Sequence, residues 1–154
     1  MTPGSESVTA FKIVKEETVA APIDVVFQAV LDELGPESQM MGGKPFPMKL
    51  EAWPGGRWYR DLGNNAGHLW GHVQVIKPPG LLEICGPLPM SYPVASHLQY
   101  RLTADGDGTR LEFAHRAFGL ILKGAARQHA SQGIDGRQPP QLEFIHHDRC
   151  EIGQ

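Results

Sequence analysis

The spacing of apolar residues predicts a strand followed by a helix in the N-terminal part of the chain. Residues 11–20 are rich in β-branched side chains, which is typical of a strand. The apolar positions then recur every three to four residues, which predicts a helix that begins near Pro22 and ends before Gly35. The apolar face of this helix consists of Val26, Phe27, Val30, Leu31 and Leu34.

From residue 48 onward, apolar and polar positions alternate, and this pattern predicts six further strands. The predicted strands are 48–53, 57–62, 68–76, 81–85, 94–103 and 109–117. Segments rich in Gly, Pro, Asn and Asp separate them, including a hairpin loop at 63–67 and a proline-rich loop at 86–93. Because each strand follows its neighbour after a short turn, we expect an antiparallel sheet.

The last two predicted strands also define a register and two faces. A loop at residues 105–108 pairs Leu102 with Leu111, Tyr100 with Phe113, and Leu98 with His115. The opposite face would carry Thr103, Arg101, Gln99, Arg110, Glu112 and Arg116. One apolar and one polar face is typical of an antiparallel sheet that is covered on one side, and His115 is the polar member of the apolar row.

The residues after 122 predict a second helix with a weak apolar stripe, and this helix is the element available to cover the apolar face. Gly136 and the pair Pro139-Pro140 interrupt it, so we expect a shortened helix. The order of the predicted helices and strands along the chain indicates an α+β domain (β-α-β6-α). Its curved antiparallel sheet of about seven strands surrounds the C-terminal helix. The expected boundaries are a disordered lead at 1–10, one domain at 11–135 and an irregular tail at 136–154.

The composition argues against several classes of protein but does not identify a function. The chain has 154 residues, which fits one domain, and a net charge of −3 without any run of basic residues, which argues against nucleic-acid binding. No segment has the ~20 apolar residues of a membrane span, and the polar N-terminus does not resemble a signal peptide. The two cysteines, Cys85 and Cys150, do not form a disulfide framework, so we expect a cytoplasmic protein.

Short motifs, in order and spacing, are similar to those of a known superfamily. They are Glu17-Thr18-Val19-Ala20-Ala21-Pro22, Pro54-Gly55-Gly56-Arg57-Trp58, Gly71-His72-Val73, Val75-Ile76-Lys77-Pro78-Pro79, Tyr100-Arg101-Leu102, Asp107-Gly108-Thr109-Arg110-Leu111 and His115-Arg116-Ala117-Phe118-Gly119. Across residues 11–122 the chain resembles the START-like (SRPBCC) superfamily of helix-grip domains, with homologues of the heat-shock-protein ATPase activator and polyketide cyclase-like members as its nearest groups. The resemblance implies a hydrophobic cavity between the sheet and the C-terminal helix. Members bind lipids, hormones or polyketides, and a minority are cyclases or hydrolases.

The candidate ligand-binding residues are the large side chains expected around such a cavity, together with one histidine. They are Trp58, Trp70, Met90, Tyr100, Phe113 and His115. Aromatic side chains line pockets as often as they fill cores, and Met90 lies in a loop that can cover the cavity mouth. His115 is the best candidate for catalysis, because histidine titrates near neutral pH and can donate to a ligand carbonyl. The alternative is a buried histidine whose partner is the backbone or Tyr100.

Neither a metal nor a cofactor is predicted. His68 and His72 would lie about 13 Å apart along one strand, which is too far to chelate one ion. The run from His146 to Cys150 lies in the tail without a second ligand pair, and no glycine-rich phosphate loop is present.

Three functions stay open from the sequence. The first is binding of a small apolar or amphipathic molecule in the cavity. The second is a cyclase- or dehydratase-like enzyme in which His115 acts with Tyr100 or Arg57 on a polyketide-type or aromatic substrate. The third is a protein-interaction module that uses the sheet face or the 86–93 loop. A homodimer that completes the cavity is compatible with each of them.

Overall fold

A computed structural model describes residues 7–89 and 93–120 of the chain. The helices are α1 (Ile23–Leu34) and a short 3-10 turn (Met41–Gly43). The strands are β1 (Thr9–Val19), β2 (Lys49–Leu50), β3 (Arg57–Gly63), β4 (Ala66–Lys77), β5 (Leu81–Gly86), β6 (Val94–Asp105) and β7 (Gly108–Gly119). The expected C-terminal helix, the 136–154 tail, Met90 and most of the expected lead lie outside the described residues.

The strands form one antiparallel sheet in the order β1-β7-β6-β5-β4-β3-β2. Helix α1 contacts β6 and β7 near one edge and β2 at the other edge. One helix reaches both regions because the sheet curves around it. The predicted α+β fold with a curved antiparallel sheet of seven strands is therefore confirmed.

The predicted register of the last hairpin is also confirmed. Leu102 pairs with Leu111, Tyr100 with Phe113 and Leu98 with His115. Burial alternates along β6, and along β7 apart from the additionally buried Ala114, as a period of two requires, with the paired residues buried. The inner face of the sheet is therefore apolar along these two strands.

Several strand ends differ from the sequence-based expectation. Strand β1 begins two residues earlier, at Thr9, and β2 is limited to Lys49–Leu50 because the chain turns at residues 53–56. Strands β3 and β4 extend into the expected 63–67 loop, since Asn64 and Asn65 form a tight turn with φ of 52° and 60°. Asparagine tolerates this left-handed conformation, which two-residue hairpin turns require.

Helix α1 packs its apolar face on the inner face of the sheet. The buried residues of α1 are Val26, Phe27, Val30 and Leu34. The indole Nε1 of Trp58 donates a 2.7 Å hydrogen bond to the carbonyl oxygen of Leu34. The last carbonyls of a helix lack partners within the helix, so Trp58 both fills the core and caps α1. Within the described ranges, no helix is long and apolar enough to cross a bilayer.

The turn between β2 and β3 is held by an ion pair between Glu51 and Arg57. The carboxylate of Glu51 accepts hydrogen bonds from Arg57 Nε at 2.7 Å, from Nη2 at 3.0 Å and from the Arg57 backbone N–H at 2.9 Å. The side-chain and backbone hydrogen bonds from Arg57 lower the pKa of Glu51 from 4.5 to about 2.

This pair predicts a pH-dependent effect of Glu51→Gln. Because the folded-state pKa lies below the unfolded one, the pair stabilises the fold above pH 4.5, and the contribution is lost as the pH falls towards about 2. The variant should unfold at slightly lower urea than the wild type at neutral pH, since exposed pairs contribute little. The difference should shrink as the pH is lowered below 4.5. A difference that is constant with pH would contradict this origin.

Candidate functional site

The buried inner face of the sheet, which we call the concave wall, carries most of the predicted ligand-binding residues. Its members are Val19, Trp58, Trp70, Val73, Leu82, Ile84, Ser96, Leu98, Tyr100, Leu102, Thr109, Leu111, Phe113, His115 and Ala117. Five of the six candidates from the sequence therefore lie on one surface: Trp58, Trp70, Tyr100, Phe113 and His115. The sixth, Met90, lies outside the described residues.

Trp58 and Trp70 form one aromatic end of the concave wall. Their ring centroids lie 5.1 Å apart, with the planes at 83°. The register of β3 and β4 shifts between Trp58 and Tyr59, which leaves Trp70 as an extra residue in β4. This β-bulge turns Trp70 to the same face as Trp58, and edge-to-face packing then stabilises the pair.

Two glycines allow strands β4 and β5 to approach each other closely beside this bulge. A Cβ atom on Gly86 would overlap the carbonyl oxygen of Trp70 and the Cα of Gly71, and a Cβ on Gly71 would lie 2.6 Å from the Cys85 carbonyl oxygen. Strands β4 and β5 can approach this closely because both positions lack a side chain.

Tyr100 and Phe113 form the centre of the concave wall. They are a directly opposed pair of β6 and β7, with ring centroids 5.0 Å apart and planes at 45°. Both side chains are buried, at 2% exposure each. They present aromatic surface beside His115, which lies two residues beyond Phe113 on β7.

The end of the wall near Val94 contains two polar side chains, His115 and Ser96. His115 is 1% exposed and its ring meets Phe11 of β1 edge-to-face, with centroids 5.0 Å apart. Ser96 is 5% exposed, and its Oγ has no hydrogen-bond partner among the described residues. Ser96 and His115 are diagonal neighbours, since Ser96 pairs with Ala117 and Leu98 with His115.

The opposite, convex face carries Arg57, which the enzyme hypothesis paired with His115, and also the carboxylate of Glu83. Arg57 belongs to this face and is engaged by Glu51. Glu83 accepts a 2.9 Å hydrogen bond from Gln99 and lies 3.3 Å from His97 Nε2. Gln99 first, and His97 second, lower the pKa of Glu83. The suggestion that Arg57 acts with His115 is therefore wrong, because the sheet separates the two side chains.

Cys85 lies on the same convex face and is a free thiol. Its Sγ donates a 2.6 Å hydrogen bond to Gln74 Oε1, and burial raises its pKa. A thiol with a raised pKa is a poor nucleophile at neutral pH. Within residues 7–89 and 93–120, no cluster of three His, Cys, Asp or Glu side chains is arranged to hold a metal.

A groove of about 610 Å³ runs along the β3–β4 hairpin, away from the candidate residues. Its lining comprises residues 57, 59–61 and 63–69. It is open to solvent, and none of Trp58, Tyr100 or His115 contributes to it. The concave wall is therefore the better candidate, since convergent aromatic and polar groups characterise ligand sites.

A curved antiparallel sheet, a helix after its first strand and an apolar concave face together define an α+β fold of the helix-grip class. Solved structures share it. The Mll3558 protein from Rhizobium loti is 23% identical, with a TM-score of 0.59 over 82% of this chain and 93% of its own. CalU16 from Micromonospora echinospora is 25% identical, with a TM-score of 0.50 over 73% of this chain and 69% of its own.

A third structure, of a protein from Rhizobium leguminosarum, is 21% identical, with a TM-score of 0.59 over 80% of this chain and 88% of its own. Neither a protein-family model nor a curated protein matches the chain. The fold expected from the START-like resemblance is thus confirmed, and membership of that superfamily and of its nearest groups stays a prediction.

Proposed function

We propose that this protein binds a small, flat aromatic molecule with a hydroxyl or carbonyl group against the concave wall. The observation that carries the proposal is that two buried polar side chains, Ser96 and His115, lie side by side among apolar and aromatic residues of the wall. Tyr100 and Phe113 supply the apolar surface next to them. This combination of apolar area with few polar anchors is typical of small-molecule sites.

The hydroxyl of Ser96 supports a ligand with a polar group. A buried hydroxyl without a partner costs about 1–3 kcal/mol, and within the described part of the chain nothing accepts from or donates to Ser96 Oγ. A ligand oxygen placed between Ser96 and His115 would satisfy this group. Since histidine can donate or accept, the two side chains can bind either a hydroxyl or a carbonyl.

The same observations favour a binder over the cyclase- or dehydratase-like enzyme. An acid–base mechanism needs two or three convergent polar groups. The concave wall keeps Tyr100 near His115 but places neither Arg57 nor Glu83 there. Membership of the polyketide cyclase-like or ATPase-activator homologue group is part of the proposal, supported by the order of the sequence motifs. A cytoplasmic location is also part of it, supported by the free thiol of Cys85.

The test compares 2-naphthol with naphthalene, which has the same rings without the hydroxyl. Both should raise the melting temperature of the wild type, and 2-naphthol should bind more tightly in calorimetry. His115→Ala should weaken 2-naphthol by about three- to tenfold, the equivalent of one hydrogen bond, and leave naphthalene nearly unchanged. Ser96→Ala should also weaken the binding of 2-naphthol and leave naphthalene nearly unchanged. It should not lower the free energy of unfolding, because it removes an unpaired hydroxyl.

His72→Ala is the matched control, since His72 is exposed and pairs with Cys85 on the convex face. The His72→Ala variant should bind 2-naphthol and naphthalene with wild-type affinity. The proposal fails if the wild type binds neither probe. It also fails if His115→Ala weakens both probes equally, because the histidine would then support the wall and not a polar ligand group.

A further inference from the structure

The two edges of the sheet are unequal. One edge is β2, which has two residues, and the other is β1, which has eleven. Among the described residues, β1 pairs with β7 alone, so its outer edge offers a long row of backbone donors and acceptors. Long edges of this kind can add a strand from another chain.

The two exposed charged side chains of β1 are opposed by like charges within the protein's own sheet. Lys12 lies directly opposite Arg116, and Glu16 lies directly opposite Glu112. Like charges at directly opposed positions destabilise a sheet. Within residues 7–89 and 93–120, neither Lys12 nor Glu16 forms a salt bridge, so both charges lack a counter-ion on the β7 side.

Between these two charges lies Val14, which is 59% exposed on the same convex face. The sequence on this face of β1 is Lys12, Val14, Glu16: a cation, an apolar residue and an anion at equal spacing. Such a row is complementary to itself when it is reversed, which is the relation that a two-fold axis perpendicular to the sheet produces.

We propose that β1 pairs antiparallel with β1 of a second copy of this chain, with Val14 opposite Val14 of the partner subunit. This register places Lys12 opposite Glu16 of the partner subunit, and Glu16 opposite Lys12 of the partner subunit. The two sheets then form one continuous sheet across the dimer. Each unfavourable charge gains an opposite charge on its other side, and the two valines pack at the axis.

Neighbouring registers lose this complementarity, so the register centred on Val14 is favoured. A two-fold axis through Ile13 sets Lys12 against Val14 and leaves no charge pair. An axis through Glu16 sets two glutamates against each other. An unrelated acidic or basic strand would satisfy one of the two charges and repel the other. A second copy therefore fits the edge better than a partner of single charge.

The test is a charge swap read by sedimentation equilibrium. The wild type should dimerise in the micromolar range. K12E and E16K should each raise the dimer Kd by about tenfold or more, because each variant turns two attractive pairs into two repulsive ones. The double variant K12E/E16K should recover the dimer, since it restores opposite charges with the signs exchanged.

Mixing the two single variants gives a second readout. A K12E chain has two acidic residues on this face and an E16K chain has two basic ones, so the mixture should form heterodimers. At protein concentrations well below the wild-type dimer Kd, both single variants should unfold at wild-type urea or higher, because each gains an opposite charge on β7, at Arg116 or Glu112.

A wild type that stays monomeric at high micromolar concentration would overturn the proposal. Single variants that dimerise like the wild type would overturn it as well, as would a mixture of K12E and E16K that forms no heterodimer.

Discussion

Replacing Trp58 with alanine is expected to lower the free energy of unfolding by about 3–5 kcal/mol, a large part of what a domain of this kind has. The side chain is 2% exposed and packs edge-to-face on Trp70. Its loss leaves a cavity in the concave wall and also removes the hydrogen bond to the Leu34 carbonyl at the end of α1. Urea unfolding followed by circular dichroism measures the change.

Trp58→Phe separates the two contributions. It keeps most of the aromatic volume but leaves the Leu34 carbonyl without its donor, so we expect a loss of about 1–3 kcal/mol. Trp53→Phe is the matched control, since Trp53 is 57% exposed and the change should stay within about 0.5 kcal/mol. Equal losses for Trp58→Phe and Trp53→Phe would show that the cap does not stabilise α1.

Gly86→Ala is expected to destabilise the protein by about 2–3 kcal/mol or more, although it adds one methyl group. The added Cβ would overlap the backbone of Trp70 and Gly71, and backbone atoms cannot move aside as a side chain can. Strands β4 and β5 would have to separate at the bulge, and the Trp58–Trp70 pair would shift with them.

Gly80→Ala serves as the comparison, in the turn that joins the same two strands. The nearest atom to its Cβ would be the Leu102 carbonyl oxygen at 3.6 Å, an ordinary van der Waals contact. Its unfolding midpoint should lie close to that of the wild type. If Gly86→Ala is equally mild, the close approach of β4 and β5 is not needed for stability.

The register of β6 and β7 could be predicted from the sequence because two independent constraints coincide there. A period of two assigns faces, and a short turn at residues 105–108 fixes which residues are opposite. The bulge in β4 has no comparable signal. One additional residue shifts the alternation, so the orientation of Trp70 depends on where the irregularity falls. Gly71 and Gly86 are the residues that allow it, and a glycine within a strand pattern is a weak indication of a bulge.

The candidate site was predictable where alternation alone decides the face. Arg57 follows the opposite phase to Trp58, and Glu83 the opposite phase to Leu82 and Ile84, so both could have been assigned to the convex face. Ser96 was missed as a site residue, although it is in phase with Leu98 and Tyr100 and therefore belongs to the wall. Its importance comes from its burial, which depends on packing and not on its place in the pattern.

The hydrogen bond between Trp58 and Leu34 could not be predicted from the sequence, for a different reason. It joins residues 24 positions apart, and it exists because the sheet brings β3 to the end of α1. No local pattern in either segment encodes such a contact. Long-range contacts of this kind depend on the curvature of the sheet, which results from the bulge and the glycines together.

Because Trp58 and Trp70 are buried, tryptophan fluorescence can report on the concave wall. The chain has three tryptophans, of which Trp58 and Trp70 are 2% and 5% exposed and Trp53 is 57% exposed. A water-soluble quencher such as iodide reaches an exposed indole but not a buried one. Once Trp53 is replaced by phenylalanine, the intrinsic emission comes from the concave wall alone. Its wavelength and its protection from iodide then follow the state of that surface without any attached dye.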